Sequence, residues 1–232
     1  MSRLTIFQPC YFAPLYLFQR IVDSDVWVSL LSAQYTRRTP QGVATIAPLR
    51  GARMRLRVPC QRGFPPIETT KIDGDQWKRK HLGSLRHAYA AAPHVDFMLE
   101  LAGSVLAQPA DTLGDLVMAS MLAPLELMRQ DGVWTGTIVR DSAVIPNGSA
   151  LRASAWMLSL AQALEAREYL CGEVGLRQYL DVTSFERCGI AVRAQQWKAP
   201  AYAKGATNGV GSLSILDLLA WRGRGFSAYF TE

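Results

Sequence analysis

Residues 3–31 read RLTIFQPCYFAPLYLFQRIVDSDVWVSLL, and this stretch decides the fold. Residues 3–8 (RLTIFQ) have the β-branched and aromatic character of a short buried strand, and Pro9 ends the run. PCYFAP cannot be regular structure with prolines at 9 and 14. Pro14 suits a first helical turn, and Leu15, Phe18, Ile21 and Val22 then share one helical face. Asp25–Leu31 predicts a second strand. Strand, loop, helix and strand within about 30 residues form a right-handed βαβ crossover, the unit of a parallel sheet.

Working outward, residues 36–66 are rich in Arg, Pro and Gly and carry one expected strand, Met54–Pro59. Asp73-x-x-Gln76 has the pattern of a capping box and predicts a helix running towards Pro93, with Trp77, Leu82, Leu85, Ala88 and Tyr89 inward. Helices are expected at 95–107 and 111–130, and a loop over 132–149. The second half repeats the grammar. A helix over Arg152–Glu165 leads to a strand, Glu168–Cys171, then a glycine loop, Gly172-Glu-Val-Gly175, and a helix opening at LRQYL. A strand at Ile190–Gln195, a loop over Lys198–Gly211 and a last helix from Ser212, stopped by Arg222-Gly-Arg-Gly225, complete the chain. The expected fold is α/β, a mainly parallel, Rossmann-like sheet flanked by helices. One domain over 1–232 is expected, with two lobes meeting near 132–149.

The chain has 232 residues, 49% hydrophobic and 19% charged, which excludes wholesale disorder. No charge-free apolar run reaches the roughly 18 residues of a membrane span. The opening MSRLTIFQPCYF lacks the apolar core and cleavage site of a signal peptide, so a cytoplasmic location is expected. Cys10, Cys60, Cys171 and Cys188 show no CxxC spacing and are expected to be reduced and mostly buried. His81, His87 and His94 form neither HxxxH nor HExxH, so no catalytic zinc helix and no metal are expected. A net charge of +6 suits a phosphate-bearing partner: a nucleotide, a sugar nucleotide, RNA or a membrane surface. Short basic runs stand at Arg50–Arg57 and Lys78–Lys80.

Five constellations carry chemistry. Gln8 to Pro14 follows a strand that feeds a helix, where parallel sheets bind ligands; Gln8 offers an amide and Tyr11 a hydroxyl and a ring. Cys10 there, beside a helix N-terminus, is a candidate for a lowered thiol pKa. Asp23-x-Asp25 pairs two carboxylates that cap a turn, bind Mg²⁺ or act as base. Trp77, His81 and Tyr89 can look one way from a helix. Gly172-x-x-Gly175 can turn the chain or cradle phosphate. Ser214-x-x-Asp217 reads either as a capping box or as a site built on a partly buried carboxylate. No GxSxG occurs, so no serine triad can be ordered.

Several motifs keep a common order and spacing. They are Gln8-Pro-x-Tyr11-x-x-Pro14, Ser24-Asp25-Val-Trp, Gln34-Tyr35-x-Arg37-Arg38, Val58-Pro59, Trp77-x-x-x-His81-Leu82 and Tyr89-x-x-x-Pro93. Further on stand Tyr169-x-x-Gly172-x-x-Gly175-x-x-x-Tyr179-Leu180-Asp181, Phe185, Gly189-Ile190-x-Val192, Pro200-x-Tyr202 and Leu213-Ser214-Ile215-Leu216-Asp217-Leu218-Leu219. Over essentially the whole chain this ensemble resembles the WbqC-like family. Leu31 and Ser32 stand where that family usually has an acidic pair, Gln41-Gly42-Val43-Ala44 where it has Asn-Arg-Asn, and Val174 where it has serine. These departures imply altered specificity or lost activity. The resemblance implies a role beside O-antigen and other surface-glycan genes, with glycyl or related acyl transfer to a sugar.

The expected function is a transferase placing an acyl or aminoacyl group on an amine of a sugar or small metabolite. His81, Asp25 and Asp217 are the expected catalytic residues. Gln8, Tyr11, Tyr35, Trp77, Tyr89, Gly172, Gly175, Tyr179, Tyr202 and Ser214 are expected to bind substrate. The residues leave the cofactor open between an activated acyl donor and ATP with Mg²⁺. The alternatives are a transferase that draws on aminoacyl-tRNA through the basic runs, and a non-catalytic scaffold of a biosynthetic complex.

Overall fold

The computed structural model describes residues 2–37, 40–48, 52–151, 153–202 and 210–231. Arg38, Arg50, Arg152 and the 203–209 part of the Lys198–Gly211 loop lie outside the described residues. In chain order the elements are β1 (Arg3–Phe7), α1 (Leu15–Val22), β2 (Val26–Ser29), β3 (Val43–Ile46), β4 (Met54–Arg57), α2 (Gln76–Ala88), α3 (Val95–Ala107) and α4 (Leu113–Gln130). There follow β5 (Thr137–Arg140), α5 (Asp141–Val144), α6 (Ala153–Ala163), β6 (Glu168–Cys171), α7 (Glu173–Gln178), α8 (Val182–Arg187), β7 (Ala191–Ala194) and α9 (Ile215–Arg222). The chain forms two compact units. A sheet unit comprises Met1–Gln8, Gln19–Ala33 and Thr135–Trp197; a helical unit comprises Pro9–Phe18, Gln34–Trp134 and Lys198–Glu232.

The sheet unit holds five parallel strands in the order β5-β2-β1-β6-β7, an α/β, Rossmann-like arrangement flanked by helices. β1 is central, and its apolar run is buried on both faces, with Leu4 and Ile6 almost inaccessible. Thr5, fully buried, donates its hydroxyl to the Leu170 carbonyl at 3.0 Å. From β1 the chain crosses to β2 on one side and later returns to β6 on the other. The winding therefore reverses between β1 and β6, and in such sheets the carboxyl ends at the reversal form the binding crevice.

Two expectations are corrected here. Residues 132–149 are not merely loop, because they contain β5, which pairs with β2, and α5. As an edge strand β5 is half-exposed and lacks the apolar run of a buried one, so composition conceals it. Gly172 to Gly175 is not a loop either. Gly172 is the N-cap and Gly175 lies inside α7, where an added Cβ would stand 2.8 Å from the Tyr179 hydroxyl. Side-chain packing, not turn chemistry, requires that glycine.

In the helical unit, α9 is buried at every residue from Ile215 to Ala220 and packs against α3. An antiparallel ribbon pairs Val43 with Arg57 through Ile46 with Met54, so the region expected to hold one strand holds two. The Asp73 capping box does not form. Gly74 turns the chain at φ +63°, α2 starts at Gln76, and its N-cap Asp75 makes no capping bond but pairs with Lys78 at 2.8 Å. The Ser214 box is half made: its hydroxyl accepts from Leu216 N, while Asp217 turns elsewhere. α9 ends at Arg222, as expected, with Gly223 as its C-cap at φ +58°, and a separate 3₁₀ segment, Gly223–Phe230, follows. The segment from Cys10 to Ala13 is buried. Within it Phe12 takes a φ of 39°, costly for an aromatic residue. Two serine hydroxyls hold it there: Phe12 N donates to Ser120 Oγ at 3.0 Å, and Ser214 Oγ donates to Phe12 O at 2.7 Å.

Candidate functional site

The strongest polar constellation of the helical unit surrounds Asp217. The helix that carries it is apolar on every side, so this carboxylate is only 2% exposed. A buried charge is tolerated only with strong donors. The Tyr89 hydroxyl donates to Asp217 Oδ1, the Tyr202 hydroxyl donates to Oδ2, and Ala47 N reaches Oδ1 at 3.4 Å. Ala47 N also donates to the Tyr89 hydroxyl at 3.2 Å. Burial raises the Asp217 pKa above its ordinary value, and the two phenols and Ala47 N only partly offset this. Both phenols are pushed up by burial first and by the adjacent carboxylate second. Tyr89 is sealed in, whereas Tyr202 is half-buried. The Tyr202 ring meets Tyr229 edge-on, and the Tyr229 hydroxyl fixes the loop by donating to Pro200 O at 2.6 Å.

Tyr11, Trp77 and His81 form a second cluster in the same unit. The Tyr11 hydroxyl and His81 Nδ1 are hydrogen-bonded at 3.1 Å, and Trp77 packs edge-on against both rings. Burial lowers the His81 pKa to about 4, with a backbone hydrogen bond at Arg57 acting in the opposite sense. The imidazole is therefore neutral at pH 7 and a weak base. Tyr11 is fully buried, so its ring stacks on protein. Tyr35 lies against Cys60, and burial raises its pKa to about 12. Cys10 is corrected outright: burial pushes its thiol up to about 12 rather than lowering it.

In the sheet unit, Gln8, Gly172, Gly175 and Tyr179 come to the carboxyl end of the sheet. Gln8 follows β1, and Gly172 follows β6. The residue that sequence reasoning missed there is Arg20. Its guanidinium is buried, stacks over the Phe7 ring at 5.8 Å, and donates Nε–H and Nη2–H to Gln195 Oε1 at 3.1 and 3.0 Å. A faint signal existed, since Leu17, Arg20 and Ser24 form a second helical stripe, and all three are buried. Asp25 lies at the opposite end, exposed at the amino end of β2, where its carboxylate accepts from Arg3 N at 2.7 Å. Asp23 accepts from Gln19 Nε2 at 2.9 Å. That pair caps the turn from helix to strand. Asp141, fully buried, was also missed; it accepts from Leu31 N at 2.9 Å and from the Ser32 hydroxyl.

Among the described residues no three His, Cys, Asp or Glu side chains gather to hold a metal ion. No described helix is long and apolar enough to cross a membrane. The model of the WbqC-like protein family matches residues 8–227, so the chain belongs to that family. No curated protein and no solved structure matches it.

Proposed function

With membership of the WbqC-like family as premise, we propose that this protein is a transferase. It places an acyl or aminoacyl group, of the glycyl kind, on an amine of a sugar or small metabolite in a surface-glycan or specialised biosynthetic pathway. The observation that carries this is the Tyr202–Asp217 hydrogen bond. Because Tyr202 spends its O–H on Asp217, its oxygen lone pairs remain available to a substrate N–H. As the amine nitrogen attacks the acyl carbon, Tyr202 takes the N–H proton and passes its own to Asp217. The C–N bond forms, the bond from carbonyl carbon to leaving group breaks, and the proton returns from Asp217 through the Tyr202 hydroxyl to the leaving group. A carboxylate whose pKa burial raises is suited to hold that proton in transit. Asp217 thus takes the role of base, Tyr89 steadies it, and His81 holds Tyr11 in place. Asp25 has no part in the relay. The leaving group comes from an activated acyl donor, or from one made with ATP and Mg²⁺.

The test is amide formation, read by mass spectrometry. The protein is incubated with amino sugars and glycine plus ATP·Mg²⁺, with acyl-CoA, or with charged tRNA. Asp217→Asn and Tyr202→Phe should each lower kcat by about 10² or more. Wild-type turnover in both variants would remove the relay. A tRNA-borne donor has its own support, because Arg55 and Arg57 alternate along β4, Arg53 directly precedes it, and all three are exposed. It requires tRNA binding that weakens steeply with salt, and salt-insensitive binding would exclude it.

A further inference from the structure

We infer that the face carrying β4 and the turn at Phe64 binds a single-stranded nucleic acid, with its arginines on the phosphates and the Phe64 ring on a base. The inference deepens the reading of a tRNA-borne donor and rests on it only for the source of the strand. The binding itself needs no transfer step at Asp217.

The first observation is charge. Seven arginines and no acidic residue stand between Gln34 and Arg62. Arg37, Arg55, Arg57 and Arg62 are all exposed, and among the described residues none of the four is in an ion pair. A merely solvated basic face has carboxylates interspersed with its cations. Here backbone carbonyls hold two of the guanidiniums instead. Arg57 Nη1–H donates to the Arg37 carbonyl at 2.8 Å, and Arg37 Nη2–H donates to the Cys60 carbonyl at 3.1 Å. A carbonyl orients the planar fork and leaves its positive charge in place. Arg55 and Arg57 pair across the ribbon with Thr45 and Val43. They share one face of β4, roughly 7 Å apart along the strand. An extended sugar–phosphate chain can lie along such a repeat.

The second observation is aromatic. Phe64 is 71% exposed, more than any other large apolar side chain among the described residues. A lone exposed ring is ordinary, but this one is fixed in place. Gly63 turns the chain at φ +132°, a conformation that favours glycine, and Pro65 restricts Phe64 from the other side. Gln34 Nε2–H donates to the Phe64 carbonyl at 3.1 Å, and Tyr35 N–H donates to the Pro65 carbonyl at 2.8 Å. Tyr35 also ties the turn to the arginines, because the Arg37 and Arg57 charges both act on its phenol. All of these residues belong to the helical unit. A fixed ring beside unpaired guanidiniums supplies a stacking platform and a phosphate track, the two parts of a single-strand site. A duplex keeps its bases stacked on one another, so the ring selects an unpaired strand.

The test is fluorescence anisotropy of a labelled short oligouridine with the whole chain. Unlabelled duplex RNA, inorganic polyphosphate and phosphatidylserine vesicles serve as competitors at equal charge. Binding should weaken with salt at a log–log slope of about −2 to −3, as three or four phosphate contacts on a single strand require. Arg55→Gln removes a side chain that makes no hydrogen bond among the described residues. It should weaken binding and bring the slope about 0.7 closer to zero. Phe64→Ala should weaken binding about fivefold or more and leave the slope unchanged, since stacking releases no counterions. No oligouridine binding at low salt would overturn the inference. So would competition by any of the three competitors as strong as by unlabelled oligouridine, wild-type affinity in Phe64→Ala, or a slope unchanged in Arg55→Gln. Binding without amide formation would sustain this inference while the transfer reading falls, and amide formation without binding would do the reverse.

Discussion

Replacing Tyr89 by Phe removes one oxygen atom and keeps the buried ring. That oxygen donates to the Asp217 carboxylate and accepts from Ala47 N at 3.2 Å. Ala47 N retains Asp217 Oδ1 at 3.4 Å, so the main loss is a donor to a buried charge. A hydrogen bond to a charged group contributes about 1.5–3 kcal/mol. For a chain of this size that corresponds to a fall in Tm of roughly 3–12 °C. Urea denaturation followed by tryptophan fluorescence measures it, and a cycle with Asp217→Asn isolates the pair. The double variant should lose less than the sum of the single losses by at least about 1 kcal/mol. The pH dependence has a definite sign. The folded pKa of Asp217 lies above its ordinary value of 3.8, so ionising it costs stability. Its contribution is whole below the unfolded pKa and is lost as pH rises through the folded pKa. Loss of the Tyr89 donor raises that pKa further, so the defect of Tyr89→Phe should shrink as the carboxyl protonates. A Tyr89→Phe variant within about 0.5 kcal/mol of wild type at pH 7, or strict additivity with Asp217→Asn, would refute this account of the network.

Three further outcomes are expected. With a folded pKa of about 4 against an ordinary 6.5, His81 contributes stability that is whole above 6.5 and falls as pH drops towards 4. His81→Gln should lack that part of the pH slope, and identical slopes between pH 7.5 and 4.5 would contradict it. Only the exposed Cys188 should react rapidly with a thiol reagent in the native state, the buried Cys10, Cys60 and Cys171 following on unfolding; two or more fast thiols per chain would be the contrary result. Gly114→Ala should destabilise by about 1–3 kcal/mol despite the better helix propensity of alanine, because its Cβ would stand 2.6 Å from the Glu68 Cα. A neutral or stabilised variant in urea titration would show that no such close approach exists.

The candidate site was legible wherever a residue's type conflicts with its neighbours. Asp217 amid SILDLLAW announced a partly buried carboxylate, whereas His81 was expected to be catalytic and only its burial beside Tyr11 and Trp77 shows a packed, neutral imidazole. Tyr202 and Tyr89 were picked out singly, but nothing in their spacing showed that both meet Asp217, since 128 and 15 residues separate them from it. Arg20 escaped notice because one arginine on a helix reads as solvated until its neighbours are known.

By itself the sequence determined the local elements with strong periodicity: β1, α1 and β2 in series, α3, and the strand Glu168–Cys171. Pattern repeats along the chain report these because burial acts within a few residues. Tertiary structure alone decided the edge strand β5, the partner strand β3, and the start of α2 beyond Gly74. It also decided which polar groups meet. The edge strand and the polar contacts depend on hydrogen-bond partners far away in sequence, whose separation no local pattern encodes.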